Sequence, residues 1–202
     1  MKILNLYAGI GGNRKLWGEE HEVTAVENVQ HIADIYSQAF PNDTVIVGDA
    51  HQYLLDHYKE FDFIWSSPPC PTHSKLNTTF AAKGILRYPD MTLYQEIILL
   101  KHFCYVPWVI ENVASYYQPL VAPTRELARH YFWSNFHLDK YYREEGEYNL
   151  VMSNVTTLQQ YHGIQLPKGT KDARKLLRNC VHPRLGLHVF NSMNNLRQEL
   201  LL

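Results

Sequence analysis

The sequence predicts an α/β fold: a mostly parallel, twisted sheet with helices on both faces. Two observations carry this reading. Apolar, β-rich runs alternate with stretches of helical spacing through the first half of the chain, and 202 residues with 46% hydrophobic content suffice for one well-buried domain.

The strand-like runs are residues 3–7, 22–27, 44–47, 61–65 and 106–111. Between them, residues 14–20, 29–40, 51–58 and 91–103 have helical spacing, the last through Leu93, Ile97, Leu100 and Phe103. Strict alternation of the two kinds implies right-handed crossovers onto a parallel sheet, whose ligands sit at the carboxyl ends of the strands. The second half is less regular. Residues 131–133 (Tyr, Phe, Trp) read as a strand, 139–169 as mixed turn and short strand, and the chain from Asp172 onward as helix, turn and a final helix. No internal repeat or low-complexity tract interrupts the chain, and residues 163–169 form a loop before a basic run.

Composition narrows the function. No run approaches the ~20 apolar residues that span a bilayer, and the first residues read as a strand rather than a cleavable leader, so a cytoplasmic protein without membrane contact is expected. Cys70, Cys104 and Cys180 are odd in number and scattered, which fits free thiols better than a disulfide framework. Cys70 with His73, and Cys180 with His182, lack the paired Cys-x-x-Cys spacing of a zinc site, so no metal is expected. A net charge of -1 gives no global basic field. Charge is uneven, however: Lys168, Lys171, Arg174, Lys175 and Arg178 form a run that fits either a phosphate track or a solvated helix face.

Strand ends carry the chemistry. The first strand runs into Tyr7, Ala8, Gly9, Ile10, Gly11 and Gly12, a turn whose missing side chains admit a ligand to backbone N–H groups, or serve only a tight bend. Glu27 closes the second strand with a carboxylate suited to ribose hydroxyls or to a helix cap, followed by Asn28. Asp49 and Ala50 follow the third, where Asp49 is a ligand group or a turn residue after Gly48. The fourth ends in Ser66-Ser67-Pro68-Pro69-Cys70-Pro71, whose prolines stiffen the backbone around one thiol, presented as a nucleophile or buried in a turn. The fifth ends in Glu111-Asn112-Val113, an acid able to protonate or hydrogen-bond a heterocycle beside that thiol.

Taken together, the glycine turn from Tyr7 to Gly12, the Pro68-Pro69-Cys70 string and the Glu111-Asn112-Val113 string resemble, in order, the signature of the DNA cytosine-5 methyltransferase family. The resemblance covers roughly residues 3–136. Residues 129–135 further resemble the strand after the acid motif in the animal de novo methyltransferases, and residues 178–183 the family's closing Gly-Asn-x-Val motif, with Arg178 in the glycine position and Asn179 retained. The family's Gln-x-Arg-x-Arg is missing: Ala128 and His130 stand at the arginine positions, with Arg129 one residue out of phase.

The resemblance implies a Rossmann-like S-adenosylmethionine-dependent methyltransferase fold. It also implies methyl transfer to C5 of a cytosine flipped out of double-stranded DNA. Cys70 would attack C6, Glu111 would hold N3 and the N4 amine, and Arg129 would assist. Tyr7 to Gly12, Glu27, Asn28, Asp49, Ala50, Pro68 and Asn179 would hold the cofactor. Residues 71–88, small and polar at many positions, read as a loop closing over substrate or as an ordinary surface loop, with Ser74, Lys75, Lys83 and Arg87 toward phosphates. Lys168, Lys171 and Arg174 would extend that track.

Residues 1–202 then form one methyltransferase domain, in which 137–177 is a reduced target-recognition segment. So short a segment implies relaxed specificity or help from an oligomeric partner. Cytosine in RNA or in a free nucleotide is the competing substrate, and a catalytically silent DNA-binding relative is the competing class.

Overall fold

The computed structural model describes residues 1–142 and 152–199, with side chains as far as Met193. Its sheet comprises β1 (Lys2–Leu6), β2 (Glu22–Glu27), β3 (Thr44–Val47), β4 (Phe63–Ser66), β5 (Trp108–Val113), β6 (Arg125–Leu127) and β7 (His130–Ser134). Their spatial order is β3-β2-β1-β4-β5-β7-β6. The neighbours among β1 to β5 pair in parallel, and β7 runs antiparallel to both β5 and β6. Order reverses between β1 and β4, the topological switch point beside which sheets of this kind bind ligands at their carboxyl ends.

Helices α1 (Gln30–Ala39), α2 (Ala50–His57), α3 (Leu76–Ala81), α4 (Thr92–Phe103), α5 (Val155–His162), α6 (Ala173–Asn179) and α7 (Pro183–Glu199) complete the described fold. Strand side chains alternate between two buried faces, which is why the central strands are apolar throughout rather than every second residue. Leu4, Leu6, Ile64 and Ile110 meet Leu54 of α2 and Leu93, Ile97 and Leu100 of α4. On the opposite face Ile3, Phe63, Trp65 and Val109 meet Leu185, Val189, Phe190 and Met193 of α7. Tyr36 and Phe40, within and just after α1, cover Ala25 of β2.

Three readings from sequence change. The helix expected over 14–20 is a single 3-10 turn, Arg14–Leu16, followed by Gly18 at a φ of 95°. Its Arg14 is instead a buried strut: Nε and Nη2 each donate to Asp43 at 3.0 Å, and Nη1 donates to the Gly18 carbonyl at 2.8 Å. Within 139–169, residues 143–151 lie outside the described residues, and residues 155–162 form α5 rather than a strand. Val155, Thr156 and Thr157 are β-branched and disfavour a helix. Local capping overrides them: Asn154 accepts the Thr157 N–H at 2.9 Å, and Gly163 ends the helix at a φ of 60°. Finally, the loop over 71–88 contains α3, anchored by Asn77 Nδ2 donating to the Pro71 carbonyl at 2.7 Å and by a Ser74 to Ser115 bridge.

Among the described residues no helix is long and apolar enough to cross a membrane, and no group of His, Cys, Asp and Glu is arranged to hold a metal.

Candidate active site

β1 gives way to a left-handed turn in which Tyr7, Gly9 and Gly11 have φ of 55°, 55° and 77°. The Ala8 N–H donates to the Val26 carbonyl and the Gly11 N–H to the Ala8 carbonyl, both at 3.0 Å, tying the turn to β2. A Cβ on Gly11 would collide with Phe40, and one on Gly12 with Cys180 and the Val181 carbonyl, whereas one on Gly9 would meet nothing within 4 Å. Gly11 and Gly12 are thus spent on internal packing, and Gly9 borders open space that a ligand can enter.

Glu27, buried at the end of β2, accepts the Gly9 N–H at 3.1 Å and the Val29 N–H at 3.0 Å, which leaves lone pairs on both oxygens. Asp49 accepts the His51 and Gln52 N–H groups at 2.8 and 3.2 Å and so caps α2. Asn28 is exposed beside Glu27 and Ala50 is buried at the start of α2. Between these strand ends lies a buried acid that sequence reasoning passed over. Glu96 of α4, with no exposed surface, accepts from Tyr7 Oη at 2.6 Å and Ser66 Oγ at 2.7 Å, and its Oε1 lies 3.1 Å from His51 Nδ1. This cluster holds the Tyr7 ring back from the turn; burial, then the Glu96 charge, raises the Tyr7 phenol far above its ordinary range. The available signal was an acid inside the apolar stripe of Leu93, Ile97 and Leu100.

After β4, buried Pro68 and exposed Pro69 lead to the half-buried Cys70. Asn112, buried on β5, donates through Nδ2 to the Pro68 carbonyl at 2.9 Å, locking the proline turn to the neighbouring strand. The Cys70 carbonyl accepts the His73 and Ser74 N–H groups at 3.0 and 3.1 Å. Burial raises the Cys70 thiol above its ordinary pKa, the Glu111 carboxylate raises it further, and the Arg129 guanidinium opposes both. Cys70 follows β4 and Glu111 lies on its paired neighbour β5, so the two stand on adjacent segments.

Glu111 is buried and its Oε1 is hydrogen-bonded to His130 Nδ1. In the β5–β7 register Glu111 faces Phe132 and Val113 faces His130, so Glu111 and His130 are diagonal neighbours on one face. Arg129 occupies the turn between β6 and β7 with Ala128, which has a φ of 57°, and donates to the Arg178 carbonyl at 2.9 Å. The structure therefore brings His130 rather than Arg129 onto the acid. Cys180, next to the exposed Asn179, packs against the glycine turn, and burial pushes its thiol up to about 12.

The expected phosphate contacts spread more widely. Lys75, Lys83 and Arg87 are exposed, with Arg87 over the Phe80 ring at 4.5 Å, and Ser74 Oγ accepts the Leu76 N–H at 3.3 Å. Lys168 and Lys171 are exposed, while Arg174 donates to the Ser153 carbonyl at 3.0 Å. Helices α5 and α6 pack over Ile10 of the glycine turn through Leu158 and Leu177.

A profile of the family described as C-5 cytosine-specific DNA methylase matches residues 1–114, more than half of the chain. The chain belongs to that family. It therefore contains the family's glycine turn, Pro-Pro-Cys and Glu-Asn-Val segments within a Rossmann-like methyltransferase fold, and S-adenosylmethionine is the cofactor. Among solved structures, this chain is similar to the Entamoeba histolytica methyltransferase EhMeth at 10% identity and a TM-score of 0.59, with 96% of this chain and 98% of that one covered. That likeness concerns fold. A DNMT2 from Spodoptera frugiperda matches at 28% identity with a TM-score of 0.41, covering 55% of this chain; the chain spans only 35% of that protein's length. A SAM-dependent methyltransferase from Agrobacterium tumefaciens matches at 15% identity, with a TM-score of 0.40 and 58% and 40% of the two chains covered. No curated protein matches the sequence.

Proposed function

We propose that this chain methylates C5 of cytosine in double-stranded DNA, with Cys70 as nucleophile and Glu111 as the acid at N3. The observation that carries the reading is a half-buried thiol just after β4 and a buried carboxyl on the adjacent strand β5, the two segments tied by the Asn112 bond to the Pro68 carbonyl, in a chain of this family. The open space at Gly9, the spare lone pairs of Glu27 and the strand-end position of Asp49, Ala50 and Pro68 fit S-adenosylmethionine, with Tyr7, Asn28 and Asn179 at the margins. That cofactor supplies an electrophilic methyl on a sulfonium.

C5 of cytosine is a weak nucleophile. Addition of the Cys70 thiolate to C6 forms the S–C6 bond and moves the ring electrons toward N3, where Glu111 delivers a proton; C5 becomes enamine-like and reactive. After methylation a base removes the C5 proton, the S–C6 bond breaks and the aromatic ring returns. A duplex hides C6, so the base must leave the stack, at about a few kcal/mol. Because the Cys70 thiol is raised, the free thiolate is scarce at neutral pH; the thiol gives up its proton to solvent before attack, and the proton from Glu111 at N3 draws the ring electrons away from C6. The Arg129 charge favours the thiolate from the other side.

The chain then acts as one methyltransferase domain with residues 137–177 as a short recognition segment, of which 143–151 lie outside the described residues. Lys75, Lys83, Arg87, Lys168, Lys171 and Arg174 are exposed positive charges available to phosphates. A duplex carrying 5-fluorocytosine tests the nucleophile, because fluorine at C5 blocks the final elimination. With S-adenosylmethionine present, the protein is expected to form a covalent adduct that survives denaturation and maps to Cys70. No adduct with the intact protein, or an equal amount with Cys70→Ala, contradicts the assignment.

A further inference from the structure

An arginine cannot surrender its proton at physiological pH, whereas a histidine can. This chain has His130 where its relatives in sequence pattern have the second arginine of Gln-x-Arg-x-Arg, and the imidazole sits on the one acid that the reaction uses. We propose that His130 is a positioning residue for Glu111 and that the two hold a single exchangeable proton, which is passed to cytosine N3 as Cys70 adds to C6. The inference rests on the reading of the chain as a cytosine methyltransferase.

The geometry is specific. Glu111 and His130 side chains are both more than nine-tenths buried, at 7% and 9% exposure. His130 Nδ1 bonds Glu111 Oε1, which leaves Oε2 for the substrate, and the imidazole ring stacks on Phe132 at 6.4 Å with 27° between planes. Antiparallel pairing of β5 with β7 fixes the two residues on one face. The Glu111 charge reaches the Cys70 thiol in the loop after β4 and the Cys180 thiol after α6, and the Arg129 guanidinium, from the same hairpin as His130, reaches the Cys70 thiol.

The proton balance closes within the pair. Loaded, it is a carboxylate with an imidazolium, or equivalently a carboxylic acid with a neutral imidazole. When the thiolate adds to C6, one proton leaves the pair through Glu111 for N3, and the discharged pair is a carboxylate hydrogen-bonded to neutral His130. When the S–C6 bond breaks, the N3 proton returns. Loading also neutralises the Glu111 charge that raises the Cys70 thiol, so the same proton favours both partners of the attack.

Two measurements test this. The first is the pH profile of kcat for methyl transfer to duplex DNA, in the intact protein and in His130→Gln, whose amide still donates to Glu111 but does not titrate. As pH rises, discharge of the pair gives the intact protein a falling limb of about tenfold per pH unit that offsets the gain of Cys70 thiolate, so its kcat should level off rather than climb. His130→Gln should be slower by about a hundredfold, with an unchanged KM for DNA and without that limb. The second is NMR titration of the His130 imidazole, whose midpoint should fall in Glu111→Gln, because a buried anionic partner is gone. An unmoved His130 pKa, or a His130→Gln variant with intact rate and limb, overturns the inference alone. Absence of turnover by the intact protein on every cytosine substrate overturns the transferase reading and the relay with it, even where the imidazole shift is seen.

Discussion

His162 shows how one side chain ties stability to pH. It is buried in α5, and desolvation, then the neighbouring His182 charge, lowers its pKa to about 4. The folded pKa lies below the unfolded value of about 6.5, so the unfolded chain binds the extra proton first. The resulting stability is complete above about pH 6.5 and drains away as pH falls toward 4, by about 3 kcal/mol in total. Urea unfolding between pH 7 and pH 4 should show this loss, and His162→Phe should flatten it; an unchanged slope in the variant would assign the loss to other groups. Glu111 and His130 make the contrasting case of a buried histidine given an acid to bond. At this scale the sequence was legible in part. Glu27 ends β2, the glycine turn follows β1 and Cys70 lies in the loop after β4, as the strings placed them, whereas β5 continues through Val113, two residues past the Glu111 at which the sequence reading ended it. His130 was visible as an arginine replaced, but its contact with Glu111 depends on the register of two antiparallel strands, which no short string encodes. Glu96 was hidden for a related reason: its partners Tyr7, His51 and Ser66 come from three other segments.

Among the elements, α7 has the largest structural duty. Its Phe190 is 2% exposed, stacks on Trp17 with centroids 5.2 Å apart, and meets Phe63 edge-on at 5.7 Å. Gly186 allows the helix to approach the Asn13 backbone so closely that a Cβ would collide with it. α7 therefore closes the face of the sheet against Ile3, Phe63 and Trp65 and braces the segment just after the glycine turn. Phe190→Ala should cost about 3 to 5 kcal/mol by urea unfolding, while the folded fraction keeps its cofactor affinity, since Phe190 packs on the sheet face and not at Gly9. A cost below about 1 kcal/mol would mean that α7 is peripheral. Elements with long-range hydrophobic periodicity were legible before the structure, β1 to β5 and α1, α2 and α4 among them. Those decided by local chemistry were not: Gly18 cuts short the helix expected after Arg14, and Asn154 with Gly163 makes a helix of a β-branched run.

For the molecule as a whole, the sheet order brings the carboxyl ends of five parallel strands to one edge, and the second half of the chain folds back with α5 and α6 over Ile10 there and α7 on a face of the sheet. Neither feature is local. The parallel half followed from alternation of strands and helices, but the return of α5 and α6 onto Ile10 rests on contacts between residues more than a hundred positions apart. The central claim is methyl transfer to cytosine by way of Cys70. The most direct measurement incubates the protein and its Cys70→Ala variant with methyl-labelled S-adenosylmethionine and, separately, duplex DNA, RNA and cytosine nucleotide, then identifies labelled nucleosides by mass spectrometry. The account predicts 5-methylcytosine in DNA from the intact protein and none from the variant. Label confined to RNA or nucleotide would replace the substrate, and no label anywhere while the protein binds S-adenosylmethionine would contradict the account.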